Sequence, residues 1–247
     1  MANPILKKLD EYNSNYEIID EKSIMTVSGT MNSFFVLSIL AIIPALISWQ
    51  LFALGYTDKV NLISYASAII GLILALIVCF KPKTAPYLSP IYAVCEGAFL
   101  GATSALLENL YNGIVTHALS ITLATAFAMF FVYKLGLIKA TSKFRSVIIT
   151  LTISIAITYL IGFIASLLGY NALTLFFWGN SIPSIVVSVI ICAVAALNLI
   201  LDFDNIEYFS ESRAPSYMNW YCAFGLLVTI IWLYFEILKL LAKLQRR

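Results

Sequence analysis

Seven stretches of this chain, at 31–54, 61–80, 87–107, 114–134, 144–168, 182–203 and 217–241, are long and apolar enough to cross a bilayer. A hydrocarbon core of about 30 Å takes about 20 helical residues. Inside it every unpaired backbone group costs several kcal/mol, so each stretch must be a helix rather than an open strand. The punctuation between them is helix-stopping: "KPKTAPYLSP", "NLYNG", "GLIKATSKFR", "GYNALTLFFWGNSIP" and "SESRAPSY". Composition agrees, with 61% of the 247 residues apolar, 11% charged and a mean hydropathy of +0.92. Soluble domains carry charge at roughly a quarter of their positions. The expected class is an all-α integral membrane protein, a seven-transmembrane-helix bundle in a lipid bilayer. A net charge of +2, with no basic cluster interleaved with aromatics, argues against nucleic acid as a partner.

Three parts follow. Residues 1–30 are polar, mixed in charge and without a leading apolar core, which marks a tail rather than a signal peptide. Residues 31–241 form the membrane domain, and 242–247 form a basic C-terminal tail. Ten cations (Lys7, Lys8, Lys22, Lys81, Lys83, Lys134, Lys139, Lys143, Arg145 and Arg213) lie on the side of the N-terminal tail, and the opposite loops contain only Lys59. The positive-inside rule then places the N-terminus in the cytoplasm. Lys239, Lys243, Arg246 and Arg247 oppose this, because seven crossings put them outside. Either their side chains snorkel or the last stretch does not cross; its length favours crossing.

Carboxylates within apolar spans are expensive and usually face the bundle interior. Three stand out: Glu96 in "YAVCEGAFLG", Asp202 in "LILDFDNIE" and Glu236 in "WLYFEILKLL". Asn198, Asp202 and Asn205 share one helical face as supporting polar groups, while Asp204, Glu207 and Glu211 share another as an acidic cytoplasmic rim. At 1.5 Å per residue Asp202 lies about 12 Å, Glu96 about 14 Å and Glu236 about 30 Å from the cytoplasmic helix ends. Lys239, three residues after Glu236, is within reach of an ordinary surface pair.

Other features are blander. Cys79, Cys95, Cys192 and Cys222 lack CxxC spacing and read as small buried hydrophobes. The lone His117 reads as an interfacial polar residue, since one His makes no metal site. Two runs rich in small residues, "GAFLGATSA" (97–105) and "SIAITYLIGFIAS" (154–166), are expected to pack closely on other helices. Neither HExxH nor GxSxG occurs, so catalysis and a resident cofactor are not expected.

"MTVSGTMN", "IYAVCEGAFLGATSALLE", "DFDNIE" and "WYCAFGLLVTIIWLYFEILKLL" together resemble the Bax inhibitor-1-like family in its bacterial YccA-like branch, from about residue 25 onward. That resemblance implies a central last helix surrounded by two three-helix layers, a plasma-membrane location and a pH-sensitive calcium leak. It also implies an acid pair between the sixth and seventh helices, supplied by Asp202 and Glu236. This sequence departs in carrying Glu as the second acid, after a longer interval of 34 residues. The depth estimates leave Glu96 as the nearer partner of Asp202.

The resulting expectation is a proton- and calcium-sensing site made by Asp202, Glu236 and Glu96, the three candidate calcium ligands, with calcium as the transported or bound ion. Calcium takes several oxygen ligands at about 2.3–2.6 Å, which carboxylates and Asn amides provide. A shared proton would latch neighbouring helices. The alternatives are a proton-coupled solute transporter, and a regulatory scaffold that binds a membrane-protein partner without transport.

Overall fold

The computed structural model describes residues 24–170 and 176–246. Lys7, Lys8, Lys22 and Arg247 therefore lie outside the described residues, as does most of the expected N-terminal tail. Among the described residues seven long helices follow one another: α1 (Val27–Ala53), α2 (Thr57–Phe80), α3 (Ala85–Leu110), α4 (Ile114–Lys134), α5 (Ser142–Leu167), α6 (Ile182–Glu211) and α7 (Tyr217–Gln245). All seven are long and apolar enough to cross a membrane. α4 coincides with its apolar stretch and the other six extend beyond theirs at one or both ends, most visibly α6, which continues past residue 203 to Glu211. The window method stops where hydrocarbon would stop; the backbone hydrogen bonds do not.

Side chains satisfy the orphan N–H groups at the helix starts. Hydroxyls of Thr26, Thr141 and Ser181 accept from Gly29 N (2.9 Å), Phe144 N (3.2 Å) and Ser184 N (3.4 Å). α4 borrows its cap from the helix before it. Glu108, near the end of α3, accepts from Gly113 N at 2.6 Å and Val115 N at 3.0 Å. The chain reverses between these helices at Gly113, whose φ of 82° lies in the left-handed region that favours glycine.

Two apolar cores form, one on each side of α7. The first joins Leu37 and Ala41 of α1, Val78 of α2, Tyr92 and Ala93 of α3, and Ala223, Phe224 and Leu227 of α7. The second joins Ile114 and Ala118 of α4, Ala195 and Leu199 of α6, and Leu226, Leu233 and Leu238 of α7. Helices α1–α3 pack among themselves, α4 and α5 pack on α6, and α7 touches α1, α3, α4 and α6. α7 is accordingly the most buried span. The expected arrangement, a central last helix between two three-helix layers, is what folds.

The layers are held differently. α1 and α3 approach so closely that a Cβ on Gly97 would lie 2.0 Å from Ala41 O, and one on Gly101 2.1 Å from Ala45 O. Only glycine permits that spacing, the small-xxx-small rule of membrane packing. α5 packs chiefly on α6 and buries only Ile148 and Gly162. Most of run 154–166 is exposed, so its expected close packing is not found. Ser154 and Thr158 donate to carbonyls of their own helix, Thr150 O at 2.8 Å and Ser154 O at 2.7 Å.

The stretch before α1 is tied to the turn between α6 and α7. Met25 N donates to Ala214 O at 2.7 Å, and Asn219 Oδ1 accepts from Thr26 N (3.1 Å) and the Thr30 hydroxyl (3.2 Å). This gives "MTVSGTMN" a structural role: it closes one end of the bundle onto the start of α7.

Candidate functional site

Asp202 sits on α6 against the central helix. A Cβ on Gly225 would lie 3.7 Å from Asp202 Oδ1, and the Thr229 hydroxyl lies beside the same carboxyl. Thr229 itself donates to Gly225 O at 3.1 Å. Asp202 Oδ2 is sealed from the surface and accepts no hydrogen bond among the described residues. A buried acceptor left unmade costs about 1–3 kcal/mol, and more when charged.

The neighbouring amides do not support Asp202 as expected. Asn198 Nδ2 donates to the Thr152 hydroxyl of α5 at 2.8 Å and to Val194 O at 2.9 Å. Asn205 Oδ1 accepts from Arg145 Nη1 of α5 at 2.7 Å. Four residues along a helix still leave about 40° of rotation. That offset turns both asparagines toward α5 and Asp202 toward α7. The acidic rim is partly engaged too. Asp204 pairs with Arg145, and Glu207 accepts from the Tyr133 hydroxyl of α4. Glu211 stands exposed at the end of α6.

Glu236 is 1% exposed, in a closed triangle near the other end of α7. The Tyr159 hydroxyl of α5 donates to Glu236 Oε1 at 2.7 Å, and Lys239 Nζ lies 2.7 Å from Oε2. Lys239 Nζ also donates to the Tyr159 hydroxyl at 2.7 Å and faces that ring 4.8 Å from its centroid. One turn later Lys243, 3% exposed, donates to Ser184 O (3.2 Å), Ser184 Oγ (2.8 Å) and Ser188 Oγ (2.6 Å). The surface pair expected of Glu236 and Lys239 is thus a buried one. Neither lysine snorkels; both point into protein. They are therefore not loop charges, and the conflict over the last crossing shrinks to Arg246 and Arg247.

Glu96 occupies a third place. It is half-buried on α3, its Oε2 3.1 Å from where a Cβ on Gly71 of α2 would stand. It makes no hydrogen bond or ion pair among the described residues. With 1.5 Å per residue it lies about 16 Å into α3, Asp202 about 14 Å from the end of α6, and Glu236 about 28 Å into α7.

The three acids therefore keep separate company. Among the described residues no three His, Cys, Asp or Glu side chains group so as to hold a metal ion. The joint calcium site expected of Asp202, Glu236 and Glu96 is not found: Asp202 faces Gly225 and Thr229 of α7, Glu236 is held by Tyr159 and Lys239, and Glu96 faces Gly71 of α2. His117 is exposed near the start of α4, at the helix end expected for it. All four cysteines are free, but only Cys222 is buried, and Cys79 is exposed.

Sequence reading missed the partners on α5. Arg145, Thr152 and Tyr159 recur every seven residues and project one polar group per two turns toward α6 and α7. In the sequence that period is masked by the other hydroxyls of α5, among them Thr150, Ser154 and Thr158.

A family model described as "Bax inhibitor 1 like" matches residues 3–246. No curated protein and no solved structure matches the chain significantly.

Proposed function

The chain belongs to the Bax inhibitor 1-like family, and from that premise we propose that this multi-pass membrane protein carries a pH-controlled calcium leak in which Asp202 is the proton-exchanging group. The observation that supports this reading is Asp202 Oδ2, sealed beside the central helix without a hydrogen bond. A lone carboxylate in such a place is stabilised by a proton or by a passing cation. The side-chain partner of Asp202 is the Thr229 hydroxyl, and among the described residues no cluster of His, Cys, Asp or Glu gathers there. Tightly held calcium takes six to eight oxygens. Calcium is then cargo in transit, not a resident ligand.

Glu236 plays a different part in this reading. The Lys239 ammonium already stands where a cation would bind. The triangle with Tyr159 closes the far end of the bundle. In this reading the N-terminus faces the cytoplasm and the host is a plasma membrane. Support comes from Lys239 and Lys243, which no longer count against the positive-inside bias. No catalysis and no resident cofactor are assigned.

The test is calcium flux into proteoliposomes across a pH series. Wild-type flux should change with pH, and Asp202→Asn, which keeps the shape and removes the titration, should flatten that response. Unchanged flux with an unchanged pH response in the variant overturns the assignment.

A second reading rests on a cleft of about 780 Å³ between α1, α4 and α6, bordered by Lys134, Lys139, Asp204 and Glu207. Small-solute pockets span roughly 300–1,000 Å³. Solute accumulation driven by a pH gradient, without passive calcium flux, would favour a proton-coupled transporter.

A further inference from the structure

Glu96 borders a second, smaller cavity that the calcium reading does not use. It has a volume of about 180 Å³ and lies between α3 and α7, with Tyr92, Phe99, Trp232 and Phe235 in its wall. Its lining comes from α3 and α7, and α2, which packs on α3, has no substantial contact with α7. Phe99 and Phe235 pair across it, ring centroids 6.0 Å apart. The remaining lining is aliphatic, and the one charged group is the Glu96 carboxylate, without hydrogen bond or ion pair among the described residues.

Three properties define what fits. The volume is below the roughly 300 Å³ at which drug-sized pockets begin, so the bound part is a small headgroup. The single unanswered charge is negative, so the headgroup is a cation. The walls are aromatic and offer no hydrogen-bonding cage, so the cation is one that sheds water readily and is attracted to ring faces. Quaternary ammonium groups meet all three conditions, because aromatic rings attract them within about 6 Å and no N–H must be satisfied. A strongly hydrated metal ion meets only the second. We propose that this cleft binds a small quaternary ammonium cation, with Glu96 as its counter-charge and Trp232 and Phe99 among its aromatic walls.

The proposal stands apart from the Asp202 reading, and its test needs no flux measurement. Full-length protein in detergent is titrated with choline and with 3,3-dimethyl-1-butanol, which has carbon where choline has nitrogen. Choline should change tryptophan fluorescence saturably, and the neutral analogue should not. Trp232→Phe should remove most of that signal while choline still raises the melting temperature. Glu96→Gln, isosteric and uncharged, should weaken choline binding at least tenfold without lowering the ligand-free melting temperature. If Glu96→Gln does not fold, Phe99→Leu replaces it and should weaken binding several-fold. The proposal is overturned by no saturable response in the wild type, by equal responses to choline and its analogue, or by undiminished choline binding in the folded variant.

Discussion

Two runs of small residues, 97–105 in α3 and 154–166 in α5, look alike in sequence and are used in opposite ways. The first brings backbone against backbone: Ala41 O and Ala45 O of α1 occupy the space where side chains of residues 97 and 101 would begin. The second faces mostly outward, and α5 reaches its neighbours through Arg145, Thr152 and Tyr159 instead. What separates them is Gly97 and Gly101 at a spacing of four, which put two absent side chains on one face. Ser and Thr at similar spacing in α5 turn their hydroxyls back onto their own helix. Composition announces that close approach is affordable; only the register of glycine says where it occurs.

This matters for function because lipid replaces apolar contacts between helices at little cost, while a lost backbone approach has no substitute. The first layer is thereby rigid. α5 is joined to the bundle by a polar seam whose bonds average about 0.6 kcal/mol each in membranes. α5, which carries Tyr159, the partner of Glu236 and Lys239, is therefore expected to separate from the bundle more easily than the helices of the first layer.

The comparison breaks most readily at Gly97. Adding one methyl, Gly97→Ala, sets a Cβ against Ala41 O at 2.0 Å, so α1 must move away. Overpacking of this kind costs about 1–3 kcal/mol, and the top of that range is expected because backbone cannot rotate aside. Thermal unfolding in detergent reads it. A variant as stable as wild type would mean that the two runs are equivalent after all.

Tyr159→Phe comes next. The ring stays and the hydroxyl goes, so Glu236 Oε1 loses its donor and Lys239 an acceptor. A loss of about 1–2 kcal/mol is expected, above that of a neutral bond because both partners are charged. Cys192 of α6, adjacent to this network, is the reporter. In a variant with the other three cysteines replaced, its maleimide labelling should accelerate when Tyr159→Phe loosens α5. Unchanged labelling together with unchanged stability would remove the seam from any account of movement.

How much of this was legible beforehand depends on what periodicity encodes. Span number follows from length and hydropathy, which need no knowledge of neighbours. The inward acids were legible as residues too costly to leave in lipid. Their partners were not. Asn198 and Asp202 share a face by helical arithmetic, yet α6 lies between α5 and α7, and about 40° of rotation assigns each to a different helix. Lys239 and Lys243 were misjudged for a related reason: counting cations for topology assumes that each is solvated, and these two are bonded inside the protein. The seven-residue recurrence of Arg145, Thr152 and Tyr159 was present all along. Arg145 reads first as a topology charge and Thr152 as one of many hydroxyls, so the pattern emerges only once partners stand opposite.

The smallest expected effect is the most discriminating, because it compares two hydroxyls within α5. Thr152 donates to Ile148 O at 2.9 Å and also accepts from Asn198 Nδ2 at 2.8 Å; among the described residues Ser154 bonds only to its own helix. Thr152→Val should therefore cost about 0.6 kcal/mol, one interhelical bond. Ser154→Ala should be neutral or stabilising by a few tenths of a kcal/mol, since alanine is the better helix former. A cycle with Asn198→Ala isolates the pair: coupling of about 0.6 kcal/mol to Thr152→Val and none to Ser154→Ala is expected. Zero coupling in both arms would remove the Thr152–Asn198 bond from the seam and leave Arg145 and Tyr159 to hold α5.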